Sequence, residues 1–129
     1  MKLAGKRPSN LGVSNGRLAA CPNKPNCVNS QATDKGHAIE PLKVNSDAAA
    51  AMQRLTKVLE SMPRTQIIER RTDYLYAECS TPLLGFVDDV EFYYDGKIIH
   101  ARSASRLGYS DWGVNRKRIE TIRAAFTGS

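Results

Sequence analysis

Two β-rich runs meeting at Asp95-Gly96 constrain this chain more tightly than any other feature. Asp-Gly is the pair that a two-residue type I′ turn demands, because both loop positions need positive φ. With those two residues as the loop, Tyr94 faces Lys97 and every later pairing follows. Phe92 then lies opposite Ile99 and Val90 opposite Ala101, which makes one face apolar. On the other face Glu91 meets His100 and Asp89 meets Arg102, two complementary pairs worth ~0.2–1 kcal/mol each. Alternation puts Asp89 and Glu91 on that second face and Asp88 on the first, so the three carboxylates do not converge on a metal. Asp88, on the side of Val90 and Phe92, needs a partner, which Arg106 or the Ser103 hydroxyl can supply.

The remaining pattern supplies a helix on each side of the strands. Ser46 is a suitable N-cap, Met52, Leu55, Leu59 and Met62 form an apolar stripe, and Pro63 stops the element, giving a helix over about 47–61. Residues 66–70 and 74–79 are short β-rich runs joined around Thr72-Asp73. A last helix starts near Val114 or Asn115 and runs to about Ala125, buried through Ile119, Ile122 and Phe126, with Arg116 and Glu120 spaced for an i, i+4 pair. Residues 1–45 have no sustained period and are rich in Pro and Asn, so they read as an irregular arm pinned on the domain by scattered apolar residues. The expected fold is α+β: one domain, with arm 1–45 and an α-β-β-β-β-α unit over 46–129. Its four antiparallel strands carry two helices on one face.

With 129 residues there is room for one core. No apolar run approaches the ~18 residues of a membrane helix, so a soluble domain is expected. The net charge of +6 is uneven, with seven basic against two acidic residues over 1–43 and six against two over 100–129. Such ends attract anions, although charge of this density is most often simply solvated. Met-Lys-Leu-Ala-Gly leads into Lys-Arg-Pro rather than an apolar stretch, which suits a cytosolic chain or one whose export signal is removed. Cys21 and Cys27 lie in a loop with two prolines, where a disulfide, free thiols and, far behind, zinc remain open. Cys79 sits in a strand, where an inert thiol is the default. No Cys-x-x-Cys, His-x-x-x-His, Gly-x-Gly-x-x-Gly, P-loop or Gly-x-Ser-x-Gly spacing occurs, so neither metal nor cofactor is expected.

The segment most suggestive of function is 102–116, with arginines, hydroxyls and two glycines leading into a helix start. Arg102, Ser105, Arg106, Tyr109, Asn115 and Arg116 are the candidate ligand-binding residues. Arginine forks beside free helix amides suit a carboxylate, sulfate or phosphate. The competing reading has the same groups satisfying each other across a long connection. Asp88 and Asp111 are weak acid–base candidates for a hydrolase- or transferase-like enzyme in which Arg102 or Arg106 holds an anion. Trp112 reads as a packing anchor. Nucleic acid is disfavoured, because aromatics are not interleaved with the basic residues of the last helix.

Several long strings carry a family resemblance: Arg7-Pro8-Ser9-Asn10-Leu11-Gly12-Val13, Cys21-Pro22 with Pro25-Asn26-Cys27-Val28-Asn29-Ser30-Gln31, Gly85-Phe86-Val87-Asp88-Asp89-Val90-Glu91-Phe92, and Arg102-Ser103-Ala104-Ser105-Arg106-Leu107-Gly108-Tyr109-Ser110-Asp111 with Gly113-Val114-Asn115-Arg116. Through them the chain resembles, over nearly its whole length, the bacterial and plastid family known as domain of unknown function 1499. The resemblance implies no activity. It implies exported or lipid-anchored envelope proteins, hence a periplasmic or membrane-anchored location, and it favours the Cys21–Cys27 disulfide. A small anion or an envelope partner protein is then the expected partner, with membrane contact only through a lipid anchor that this chain lacks. A purely structural envelope domain is the remaining alternative.

Overall fold

The computed structural model describes residues 4–128. Its elements run β1 (Cys27–Asn29), β2 (Leu42–Lys43), α1 (Ala48–Glu60), β3 (Thr65–Arg70), β4 (Tyr74–Ser80), β5 (Val87–Tyr94), β6 (Ile98–Ser105) and α2 (Val114–Thr127). The fold is α+β with an antiparallel sheet, but the sheet has six strands rather than four. The two extra strands come from the arm. β1 and β2 both pair with the outer edge of β6, so the spatial order is β1-β6-β5-β4-β3 with β2 beside β6. Runs of two or three residues leave no periodic signal, so these strands are invisible in a single sequence. They cover an edge that would otherwise offer unpaired amides to another chain.

The central hairpin forms with a shifted register. Phe92 pairs with Ala101, Glu91 with Arg102, Tyr93 with His100 and Tyr94 with Ile99, so the expected Asp89–Arg102 and Glu91–His100 partnerships are not made. The loop is Gly96-Lys97, closed by the Asp95 amide donating to the Ile98 carbonyl at 3.1 Å. Only Gly96 of the loop has positive φ, at 102°. The Asp95 carboxylate accepts from the amides of Lys97 (2.9 Å) and Ile98 (3.0 Å), which makes Asp95 a strand-side cap instead of a loop residue. A glycine in the first loop position is the requirement of the II′ rather than the I′ turn. Moving the loop by one residue shifts every partner by two, so each side chain keeps its face.

Both helices pack on one side, as the patterning required. Leu55, Leu59, Ile119, Ile122 and Phe126 meet Leu75, Ala77, Val90, Phe92 and Ile99 in the main core. The N-cap of α1 is Asp47, not Ser46, its carboxylate accepting from the Ala50 amide at 2.8 Å. In α2 the expected Arg116–Glu120 pair is absent. Arg116 donates to the carbonyls of Ala38 and Gly36, and Glu120 pairs with Arg123. The arm covers the other side of the sheet, where Leu18 packs on Tyr74 and Tyr76.

Candidate functional site

Polar groups from the 102–116 segment go to two places, one on each face of the sheet. On the arm face Arg106 is the hub. Its Nε donates to Asp89 Oδ2 at 2.9 Å, and Nη2 reaches Asp89 Oδ1 (2.9 Å) and Glu78 Oε2 (2.7 Å). The Tyr76 hydroxyl sits 2.6 Å from Asp89 Oδ1 and 2.8 Å from Glu78 Oε2, sharing its one proton between them. Arg7 of the arm closes the cluster on Glu78 at 2.7 Å. Burial pushes the Glu78 carboxyl up, but the hydrogen bonds from Tyr76, Arg7 and Arg106 outweigh it, and its pKa lies below the ordinary value. Hydrogen bonding to Asp89 raises Arg106 further, against the opposing effect of burial.

Beside it lies a second pair from the hairpin. Glu91 is fully buried and accepts from the Tyr74 hydroxyl at 2.5 Å and from the Gly12 amide at 2.7 Å. Arg102 Nη1 stands 3.8 Å from Glu91 Oε1, and Nη2 donates to the Ala20 carbonyl at 3.3 Å. Burial raises Glu91 and lowers Arg102, each shift resisted by the partner's charge. His100 is held elsewhere, by Asp95 at 3.0 Å and Ser30 at 3.0 Å.

On the helix face Asn115 is the hub. Its Oδ1 accepts from the Ser103 hydroxyl (2.5 Å) and Arg118 Nη1 (2.8 Å). Its Nδ2 faces Asp111 Oδ2 (2.7 Å), Ser105 Oγ (2.9 Å) and the Asn26 carbonyl (3.1 Å). Asp111 also accepts from the amides of Gly113 and Asn115, capping α2 from two residues before its N-cap, Gly113. Asp88 is paired with Arg118 at 2.8 Å, not with Arg106 or Ser103, and the Ser105 hydroxyl also bonds its carboxyl. Burial raises the Asp88 pKa, with Arg118 opposing.

The expected convergence of Arg106, Tyr109 and Asn115 with Arg102 or Asp88 on one pocket therefore does not occur. Strand alternation sends Arg102 and Arg106 to the arm face and Asp88, Ser103 and Ser105 to the helix face. Arg102, Arg106 and Asn115 are buried and partnered inside the protein, and Arg116 is spent on arm carbonyls. No arginine is left as an anion clamp in this segment, and Asp88 and Asp111 have structural partners.

What is left open is apolar. Among the described residues seven large hydrophobic side chains are exposed, and six of them, Leu83, Leu84, Leu107, Tyr109, Trp112 and Val114, belong to two loops or the adjoining first residue of α2. These loops leave the same end of the sheet, since Ser80 pairs with Val87 and Asp88 with Ser105. Between them is a cavity of about 320 Å³, walled by Phe86, Leu107, Trp112 and Val114 and floored by Asp88, Ser105 and Asp111, with no Lys or Arg in its lining. Leu83 is 100% exposed and Trp112 92%. Trp112 is thus no packing anchor.

The backbone singles out the same end. Among the described residues four non-glycine residues have positive φ, and three of them are Arg64 (54°), Leu83 (68°) and Trp112 (55°). The Arg64 carbonyl accepts from the Ser80 amide at 2.9 Å, which places Arg64 beside the two loops. A left-handed conformation costs a residue with a side chain roughly 1–2 kcal/mol. Here bulky residues hold it while contributing almost no burial. Sequence reasoning missed Leu83 and Trp112, although each is an apolar residue in a short, aperiodic turn. Pro82 and Gly85 bracket the first, and Ser110, Asp111 and Gly113 surround the second.

The family model for "Protein of unknown function (DUF1499)" matches residues 17–126. The chain belongs to this family. No curated protein sequence matches it. Family membership thus places the chain without assigning a reaction, and the geometry has to carry the functional reading. The Cys21–Cys27 disulfide is formed, with Cα atoms 5.7 Å apart, and Cys79 is a buried free thiol.

Proposed function

We propose that this DUF1499 domain is a non-enzymatic binding domain that takes an apolar group of its ligand or partner at the loop-bearing end of the sheet. The observation that carries it is Trp112, 92% exposed and held at positive φ on the rim of the cavity. Exposed apolar clusters on otherwise ordinary surfaces mark interaction sites. The reading replaces the small anion expected from the arginines, because Arg102 and Arg106 face carboxylates within the fold and Arg116 donates to arm carbonyls. The cavity floor carries carboxylates and hydroxyls, so it favours a hydrogen-bond donor over an acceptor at the polar end of the guest. The Cys21–Cys27 bond supports an oxidising compartment such as the cell envelope.

An acid–base role for Asp88 has one observation on its side, a carboxyl of raised pKa lining a cavity. Against it, Arg118 and Ser105 already occupy that carboxyl. The binding reading is tested by titrating the folded protein with the uncharged apolar dye N-phenyl-1-naphthylamine. Wild type is expected to bind it, Trp112→Ser to bind at least tenfold more weakly, and Val13→Ser, at the one exposed large hydrophobic outside this end among the described residues, to match wild type. Absence of binding to native wild type, or equal binding by Trp112→Ser, overturns the reading.

A further inference from the structure

The shape and charge of the apolar end specify its partner more narrowly. Leu83 lines no part of the cavity and protrudes fully into solvent, and Trp112, although it borders the cavity, leaves 92% of its surface exposed. A rigid protein partner needs complementary holes to gain from such side chains, whereas a fluid lipid interface accepts them in any local arrangement. The composition agrees. Pro82-Leu83-Leu84-Gly85 is uncharged, and Leu107, Tyr109 and Trp112 add an apolar body with two amphipathic aromatic rings, the kind that settle at the level of lipid headgroups.

Charge around the tips is complementary to an acidic surface. Arg64 lies beside the end of β4, and its left-handed backbone is part of the same strained end. Lys117 stands three residues after Val114, so the two share a side of α2. Lys6 follows Gly5, whose carbonyl accepts from Arg106 at 3.4 Å and where an added Cβ would stand 3.1 Å from Leu107 Cγ. All three are exposed, and none has an ion-pair partner among the described residues. Opposing charge at this end is already engaged, with Asp88 on Arg118 and Asp111 on the amides that start α2.

We propose that the domain docks peripherally on an anionic lipid bilayer. Leu83, Leu84 and Trp112 enter the headgroup layer, and Arg64, Lys117 and Lys6 contact acidic headgroups. This deepens the binding reading above and rests on it. Each cation near such a surface strengthens partitioning roughly fivefold, screened within a Debye length, and the inserted side chains fix which end faces the lipid.

Trp112 is the only tryptophan in the chain and reports directly on insertion. The full chain is mixed with vesicles of phosphatidylcholine alone or with an equal share of phosphatidylglycerol, and Trp112 emission and co-sedimentation are followed. A blue shift and co-sedimentation are expected with the anionic vesicles, weakening as salt is raised. Leu83→Ser/Leu84→Ser should weaken binding at least tenfold, and Arg64→Glu/Lys117→Glu about 25-fold or more. All four substitutions are at exposed sites, and unchanged thermal unfolding of each double variant verifies its fold. Failure to co-sediment with anionic vesicles at low salt overturns the proposal. Binding that Leu83→Ser/Leu84→Ser leaves intact also overturns it, since the chain's net positive charge alone then explains the attraction. If the dye binds as described above while vesicles do not, lipid is the wrong partner and the binding reading stands. Self-association through this end in place of vesicle binding likewise overturns the lipid assignment.

Discussion

The arm-covered face of the sheet and its loop-bearing end depart from the ordinary partition of residues in opposite directions. The face buries Asp89, Glu91, Arg102 and, nearly, Arg106. The end exposes leucines and the only tryptophan. On the face every charge has an opposite charge or hydroxyl near it, closely for Asp89 and Arg106 and at 3.8 Å for Glu91 and Arg102, where burial still outweighs the pairing. At the end the exposed side chains and strained φ values have no internal compensation. The polar cluster that looks most like a site is therefore part of the scaffold. The bland hydrophobic turns, which look like nothing in sequence, are the surface proposed above to bind.

The comparison breaks if the buried arginines can be removed without loss. Arg106→Ala leaves the buried Asp89 without its cation and Glu78 with Arg7 alone, and a loss of about 3–5 kcal/mol is expected in urea denaturation. A loss below about 1 kcal/mol would mean that the arm-face network does not hold the fold. Next in size is the short covalent loop. Cys21→Ser/Cys27→Ser is expected to cost about 2 kcal/mol, less than a long-loop disulfide, by thermal or urea unfolding under oxidising conditions.

The helix-face pair sharpens the comparison through pH. Burial raises the Asp88 carboxyl above its ordinary 3.8, with Arg118 opposing. A group raised by folding contributes stability that is complete below its unfolded pKa and is lost as pH rises through the folded one. Asp88→Asn should destabilise, but its deficit against wild type should shrink as pH rises from 3.8 toward neutrality. A deficit that grows with pH contradicts the assignment. The smallest effect belongs to the loop end, where Trp112→Gly is expected to be neutral or to stabilise by up to about 1 kcal/mol through relief of the left-handed residue.

Much of the framework was legible in the sequence because it rests on periodicity. The α1 stripe, the apolar face of Val90 and Phe92, and the buried Ile119, Ile122 and Phe126 all follow from spacing. The register was misread by one loop residue because Asp95 has two ways to serve a turn, as a loop residue or as a cap on the amides after it. β1 and β2 were illegible because strands this short are made by their partner, β6, and not by their own pattern. The expected convergence on one pocket was misread for a related reason. Arg102 and Asn115 are close in sequence, yet they lie on opposite faces of the sheet, and only the fold shows that each is already partnered. Trp112 carries no pattern that distinguishes a buried indole from a presented one.

The most direct test of the contrast is equilibrium urea unfolding of Leu83→Ser/Leu84→Ser/Trp112→Gly beside wild type. If the loop end is a presented surface, removing these three exposed apolar side chains leaves the unfolding free energy within about 0.5 kcal/mol of wild type or raises it. A fall of more than about 2 kcal/mol would show that these side chains pack in the fold, and the loop end would then be part of the scaffold.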